Sequence, residues 1–385
     1  MEKIYSKREE CCGCGACAEI CPRGCIQMCM DREGFLYPVV DSERCVACGL
    51  CQRICPTRNV VARGDAIRGH YLAYVKDEKL RWSSSSGGVF SVLSEAILKN
   101  GGVVFGAAFD EDFSVHHIGV KDSSGLDALR GSKYVESRTE HSFSEAKAVL
   151  EAGKPVLFSG TPCQIAGLTQ YLGKNYDRLY TVDLLCHGVP SPKVWKMYLN
   201  FQISAQCADI KRTLFRQKDF GWKAYAVKLQ FDNLTAYEQI FEKDLFMQMF
   251  LQNICLRPSC YACKFKRLNR VSDFTIGDAW GVENYMPEMD DDKGTSVILV
   301  HTKKGEKLLN EVQEQMKMMP GREGQLLPSV LASRSSVSRH PRRKQFFQKL
   351  DQVKSFDELA VFLKVSLPRK VVRKMKRGVK KLWGS

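Results

Sequence analysis

The stretch "CCGCGACAEICP", residues 11–22, places five cysteines in twelve residues, and "CVACGLCQRICP", residues 45–56, repeats its frame. Cys11, Cys14, Cys17 and Cys21 follow C-x2-C-x2-C-x3-C-P, as do Cys45, Cys48, Cys51 and Cys55. This run ligates paired [4Fe-4S] clusters in bacterial ferredoxins, with the fourth cysteine of each run bound to the other cluster. Soft thiolates suit iron, and a tight loop carries three of them to three corners of one cubane. The expected sets are therefore Cys11, Cys14, Cys17 and Cys55 for one cluster, and Cys45, Cys48, Cys51 and Cys21 for its partner. Zinc also accepts C-x2-C pairs, but the Cys-Pro closure and the duplication favour iron. Cys12, Cys25 and Cys29 fall outside the frame and read as packed or bystander thiols.

Working outward, "IQMCMDREGFLYPVV" alternates apolar Ile26, Met28 and Met30, turns at residues 31–34, and alternates again at Phe35, Tyr37 and Val39. A β-hairpin whose bulky groups shield the clusters is expected. From about His70 the pattern changes to strands alternating with helices. "SSSSGGVFSVLSEAILKNGG" carries Val89, Phe90, Leu93, Ile97 and Leu98 at helical spacing, opened by hydroxyls and glycines and closed by Gly101 and Gly102. Free N–H groups and the positive dipole end make such a start an anion site, although serine caps without ligand share the pattern. "GGVVFGAAFD" and "VHHIGV" read as neighbouring strands. In "LRGSKYVES", Lys133 stands among Gly131, Ser132 and other small residues, placed either to pair with a phosphate or to rest in solvent.

"KPVLFSG" runs into "TPCQ", and "LYTVDLL" into "CHG", so Cys163 and Cys186 each close a short apolar run. Such runs between helices suggest parallel sheet, whose ligands gather beyond the carboxyl ends of strands. Cys260 and Cys263 add a C-x2-C pair downstream. Together these four make an expected third four-sulfur site, with Cys255 as substitute. Singly, Cys163 and Cys186 also suit buried apolar positions, and Cys260 with Cys263 suits half a zinc knuckle.

The 385 residues are 44% hydrophobic and 26% charged, which allows several domains and a sizeable core. The opening "MEKIYSKREE" lacks the apolar core of a signal peptide, so the expected compartment is the cytoplasm, where seventeen cysteines point to metal or redox chemistry rather than disulfides. Of the net charge of +15, eight Lys/Arg lie in residues 369–381. That segment, with Val371, Val372, Met375 and Val379, reads either as a solvated tail or as a peripheral contact with the anionic inner face of the membrane. No nucleic-acid module accompanies it. Before it, Ser355 and Glu358 in "SFDELAVFLKV" have capping-box spacing for a short helix.

The blocks "SSSSGGVFS", "GAAFDEDF", "LRGSKYV", "FSGTPCQIAGL", "VDLLCHGVPSPKVW" and "SDFTIGDAWG" closely resemble the coenzyme F-420 hydrogenase/dehydrogenase beta-subunit family over roughly residues 70–300. The resemblance implies a third [4Fe-4S] cluster and FAD, with Ser84, Ser85, Ser86, Gly87, Gly88, Gly131, Ser132, Lys133, Ser159, Gly160 and Thr161 as flavin contacts. It implies an oxidoreductase whose archaeal relatives exchange a hydride with coenzyme F-420. His187, beside Cys186, is the candidate proton relay, and Asp278 the candidate for orienting a flavin edge or a loop. The fused cluster module departs from the archaeal pattern and implies a self-contained unit fed by an external redox protein or low-potential donor. Such fusions occur in bacteria, often among genes for surface-polysaccharide synthesis. The alternative is an iron-sulfur carrier or docking subunit without functional flavin. The expected architecture is a small α+β ferredoxin-like two-cluster module (1–62), an α/β body of mixed sheet with flanking helices (63–350), and a helical, basic tail (351–385).

Overall fold

Two short sequence-local hairpin strands, β1 (Ile26–Met30) and β2 (Leu36–Val40), pair antiparallel with Ile26 opposite Val40 and Met30 opposite Leu36. Asp31 makes the turn: its carboxylate accepts from Glu33 N and Phe35 N at 2.9 and 3.0 Å. In this computed structural model, residues 4–60, 67–322 and 325–363 are described. The expected basic segment 369–381 lies outside them.

The body is built on a nine-stranded mixed sheet. Its strands are β3 (Gly69–Val75), β4 (Val103–Phe109), β5 (Val115–Val120), β6 (Ser137–Arg138), β7 (Val156–Gly160) and β8 (Leu179–Leu184). A separate three-stranded antiparallel sheet follows, of β9 (Ile210–Gln217), β10 (Ala226–Phe231) and β11 (Ala236–Ile240). The chain then returns through β12 (Phe274–Asp278), β13 (Ser296–Val300) and β14 (Met316–Pro320), giving the large sheet the order β14-β3-β13-β12-β8-β7-β4-β5-β6. Strands β4, β7, β8 and β12 run parallel, and β13 is antiparallel to both β12 and β3. The carboxyl ends of β3, β4, β7, β8 and β12 therefore share one edge.

Strands buried on both faces need continuous apolar runs, which Val156, Leu157 and Phe158 of β7 and the fully buried β13 supply. The helix Val89–Lys99 lays Val89, Val92, Leu93 and Ile97 on the sheet, as its spacing requires. A second core, of Trp195, Tyr198, Phe215, Phe246 and Phe250, lies between the small sheet and the helix Pro192–Gln206. The capping box at Ser355 forms, and opens a 3-10 helix, Phe356–Phe362, that covers this core.

The hairpin departs from the expected shield. Ile26 is buried with Cys17 and Cys25, but Met30 is 60% exposed. Phe35 and Tyr37 turn toward the body, where the Arg257 guanidinium lies 4.3 Å from the Tyr37 ring centroid. At the turn, Glu33 forms a buried ion pair with Arg343 at 2.7 Å. The polar turn is thereby fastened to the body, and its apolar neighbours serve the domain contact more than the sulfur loops.

Candidate iron-sulfur sites and the carboxyl edge of the sheet

Each N-terminal run curls around left-handed residues: Gly13 and Gly15 have φ of 74°, Gly49 has 72°, and Ala47 has 53°. Glycine avoids the Cβ clash of this conformation, and Ala47 accepts it at a solvent-facing position. The fold brings Cys55 to the first run: Cys17 lies within electrostatic reach of Cys11 and Cys55, and Cys14 of Cys17 and Cys55. Cys51 lies in the same way near Cys48 and Cys21. The second run lines a cavity of about 260 Å³ with Cys21, Cys45, Cys48 and Cys51. Cys25 stands there too, its sulfur 3.3 Å from that of Cys21, whereas Cys29 is exposed.

The first run is pressed into the body. Thr139 Oγ1 donates to Cys14 O at 2.9 Å, Ser144 N donates to Glu19 at 2.9 Å, and a Cβ at Gly167 would meet Cys14 Sγ at 2.9 Å. Small residues thus permit a close approach between the sulfur loop and the helix Pro162–Leu172.

At the carboxyl edge, β7 ends into Cys163 and β8 into Cys186, and the 3-10 turn Pro258–Ala262 delivers Cys260 and then Cys263. All four line one narrow cavity of about 40 Å³. Cys260 lies within electrostatic reach of Cys186, Cys163 and Cys263. Cys255 does not join them; it is buried among the aromatic residues of the second core. Cys12 does join, with its thiol in hydrogen-bond contact with both Cys14 and Cys163. The cavity also presents Arg257, Lys264, Lys266 and Arg270, cations suited to offset four thiolates. Burial pushes the Cys186 thiol up to about 12, so these sulfurs are held as protonated thiols until a metal displaces the proton. Among the described residues no three His, Cys, Asp or Glu side chains meet at single-ion spacing. The sulfurs stand around cavities, and four soft donors so placed fit a cubane.

His187 lines the same cavity, bonds through Nε2 to Asn253 Oδ1 at 2.6 Å, and packs edge-on against Phe250. Burial lowers its pKa, keeping the ring neutral. Asp278, at the end of β12, is occupied by a two-pronged pair with Arg216 at 2.8 and 3.0 Å and by Trp222 Nε1 at 3.1 Å. It therefore fastens the small sheet to the large one.

The expected flavin segments gather along this edge. Ser85 Oγ accepts from Ser132 N at 2.7 Å, joining two stretches 47 residues apart. Lys133 lies 5.9 Å from the Phe109 ring at the end of β4, donates to Ala128 O and Arg130 O, and has no carboxylate partner among the described residues. Burial pushes its ammonium down to about 7. Gly131 has φ of 81°, and the space where its Cβ would stand is open. Several hydroxyls are spent internally: Ser84 donates to Leu80 O, Ser86 to Thr295 O and Ser159 to Phe105 O. Gly87 N donates to Ser296 Oγ, and Gly88, with φ of 84°, caps the helix Val89–Lys99. Thr161 caps the helix that carries Cys163, its Oγ1 3.1 Å from that sulfur, and so belongs to the sulfur site. Gly160 borders buried His117, which bonds Ser137 Oγ and Ser159 O at 2.8 and 3.0 Å. Lys218 donates to Arg81 O, Ser86 O and Lys293 O, and thereby fixes the serine-glycine loop. Sequence reading missed Cys12, His117, Lys218 and Arg257, because no spacing marks a residue whose partners lie on other elements.

Comparison with known proteins supplies names. Residues 10–59 match the model of the 4Fe-4S dicluster domain, and residues 153–321 match the model of the C terminus of the coenzyme F420 hydrogenase/dehydrogenase beta subunit. No curated protein matches the chain. Among solved structures, a chain of the F420-reducing [NiFe] hydrogenase complex from Methanosarcina barkeri is similar, with 15% identity over 76% of this chain and 93% of that one, and a TM-score of 0.49. No helix of the described residues is long and apolar enough to cross a membrane.

Proposed function

Because the chain joins a 4Fe-4S dicluster domain to a C-terminal region of the coenzyme F420 hydrogenase/dehydrogenase beta-subunit family, we propose that it is an iron-sulfur flavoprotein oxidoreductase with three [4Fe-4S] clusters and FAD. The observation that carries this reading is the convergence of Cys163, Cys186, Cys260 and Cys263 on one cavity, with Cys12 linking it to the first sulfur run. When bound, cubanes pass single electrons and a flavin exchanges one or two, which couples them to a two-electron partner.

The residues divide the work by position. The second run, with Cys48 exposed, is the port for an external redox protein. The first run and the third site lie inward of it, where the protein excludes water. Cys11, Cys14, Cys17 and Cys55 would hold one cluster, Cys45, Cys48, Cys51 and Cys21 the next, and the four body cysteines the third. Lys133, Gly131 and the Ser85–Ser132 junction would receive the flavin's phosphates: an ammonium buried without a carboxylate is suited to an anion. His187, neutral and held by Asn253, is placed to exchange a proton beside the third site.

A specific observation keeps the carrier reading in play: the hydroxyls of Ser84, Ser86 and Ser159 are bonded within the protein. Iron, sulfide and flavin analysis of one anaerobic preparation separates the two. The proposal expects about four irons per site and one FAD per chain. Iron-loaded protein persistently empty of flavin would establish the carrier, and iron without a third cluster's share would remove the assignment of the body cysteines.

A further inference from the structure

Arg257 precedes Cys260 by three residues and is 0% exposed. Its Nε donates to Cys11 O at 2.9 Å and its Nη2 to Leu36 O at 2.8 Å, while Nη1 pairs with Glu136. Nη2 also lies 3.7 Å from Cys11 Sγ in hydrogen-bonding geometry. Gly13 makes the approach possible, since a Cβ there would lie 2.8 Å from Nη1. The same residue lines the third cavity beside Cys12, Cys163 and Cys260. A buried cation therefore stands between two sulfur sites and donates to a ligand sulfur of one. The cavity of the second run is different: its arginine, Arg23, is exposed, and water screens it.

Reduction adds one electron, and so one negative charge, to a cluster. A cation and an N–H···S bond stabilise the reduced form more than the oxidised form, the more so where water is excluded. We infer that Arg257 raises the reduction potential of the cluster on Cys11, Cys14, Cys17 and Cys55 above that of the cluster on Cys45, Cys48, Cys51 and Cys21, so that an electron entering at the exposed run settles beside the third site. The inference rests on the reading that these thiols hold cubanes. Glu136 opposes the effect, since its carboxylate faces the same guanidinium.

The two residues give tests of opposite sign. Full-length, cluster-loaded protein is titrated anaerobically with dithionite, which supplies the electrons, and the reduced clusters are followed by electron paramagnetic resonance. In Arg257→Gln the midpoint of the first-run cluster falls, lowering its reduced-to-oxidised ratio at fixed potential about tenfold, or about 59 mV for one electron. In Glu136→Gln the same midpoint rises, and in Arg257→Lys, which keeps the charge, it falls less than in Arg257→Gln. Unmoved midpoints in loaded Arg257→Gln and Glu136→Gln overturn the inference alone, as does an equal fall of all midpoints in both. If Arg257→Gln does not fold, the sign of the Glu136→Gln shift decides. Wild-type protein without iron defeats the cubane reading and the inference with it.

Discussion

The two cysteine runs share one spacing and live in different surroundings. Gly13 occupies the place that Ala47 has in the second run, Gly15 that of Gly49, and Cys12 that of Val46. A Cβ at Gly15 would strike Thr139 Oγ1 at 2.3 Å, whereas at Gly49 nothing stands within 4 Å. Cys12 reaches Cys163, while Val46 is 61% exposed. Duplicated motifs fix the same ligand geometry twice, but the body covers only one copy. What differs is dielectric, access and neighbouring charge, the variables that set a cluster's potential and reactivity.

The comparison can be broken most severely at the third site. Cys260→Ala should remove about one third of the iron, since each of three cubanes holds four, and should spare both N-terminal clusters; iron analysis with sulfide determination checks it. Unchanged iron would mean that the inner run has no cluster beyond it. The next effect is kinetic. Under a limiting oxidant such as ferricyanide, visible absorbance should bleach in two phases, the exposed second-run cluster first, and a single phase would erase the asymmetry between the runs.

Stability tests sharpen the same contrast. Gly13→Ala should destabilise by about 2–4 kcal/mol, combining the left-handed penalty with displacement of the Arg257–Glu136 pair. Ala47→Gly, its twin, should stabilise by about 0.5–1 kcal/mol. Anaerobic denaturant unfolding reads both, and equal effects would deny that the body presses on one run alone. At the carboxyl edge, burial lowers the pKa of His117 to about 4. The unfolded chain takes up that proton near pH 6.5. Stability is therefore complete above pH 6.5 and falls as pH drops from 6.5 toward 4, by up to about 3 kcal/mol. The slope should vanish in His117→Gln.

The smallest expected effect concerns flavin retention. With Lys133 depressed to about 7, FAD affinity should weaken as pH rises above 7, by no more than tenfold per unit for loss of one charge. Lys133→Met should flatten that profile. A wild-type profile flat from pH 6 to 9 would place the phosphates elsewhere along the edge.

Sequence alone determined whatever depends on neighbours along the chain. The C-x2-C-x2-C-x3-C-P loops, the hairpin turned by Asp31, the helix Val89–Lys99 and the strands that end at Cys163 and Cys186 are written in local spacing, because loop geometry and apolar period are local properties. The tertiary structure decided which thiols meet: Cys12 and not Cys255 stands with the body cysteines, though both lay outside any frame. It also decided that Asp278 spends its carboxylate on Arg216, that β9 to β11 form a sheet of their own, and that Arg257 lies between two sulfur sites. Those outcomes depend on contacts between residues far apart in the chain. Such contacts are selected by burial and charge compensation in the closed fold, and periodicity along the chain carries no record of them.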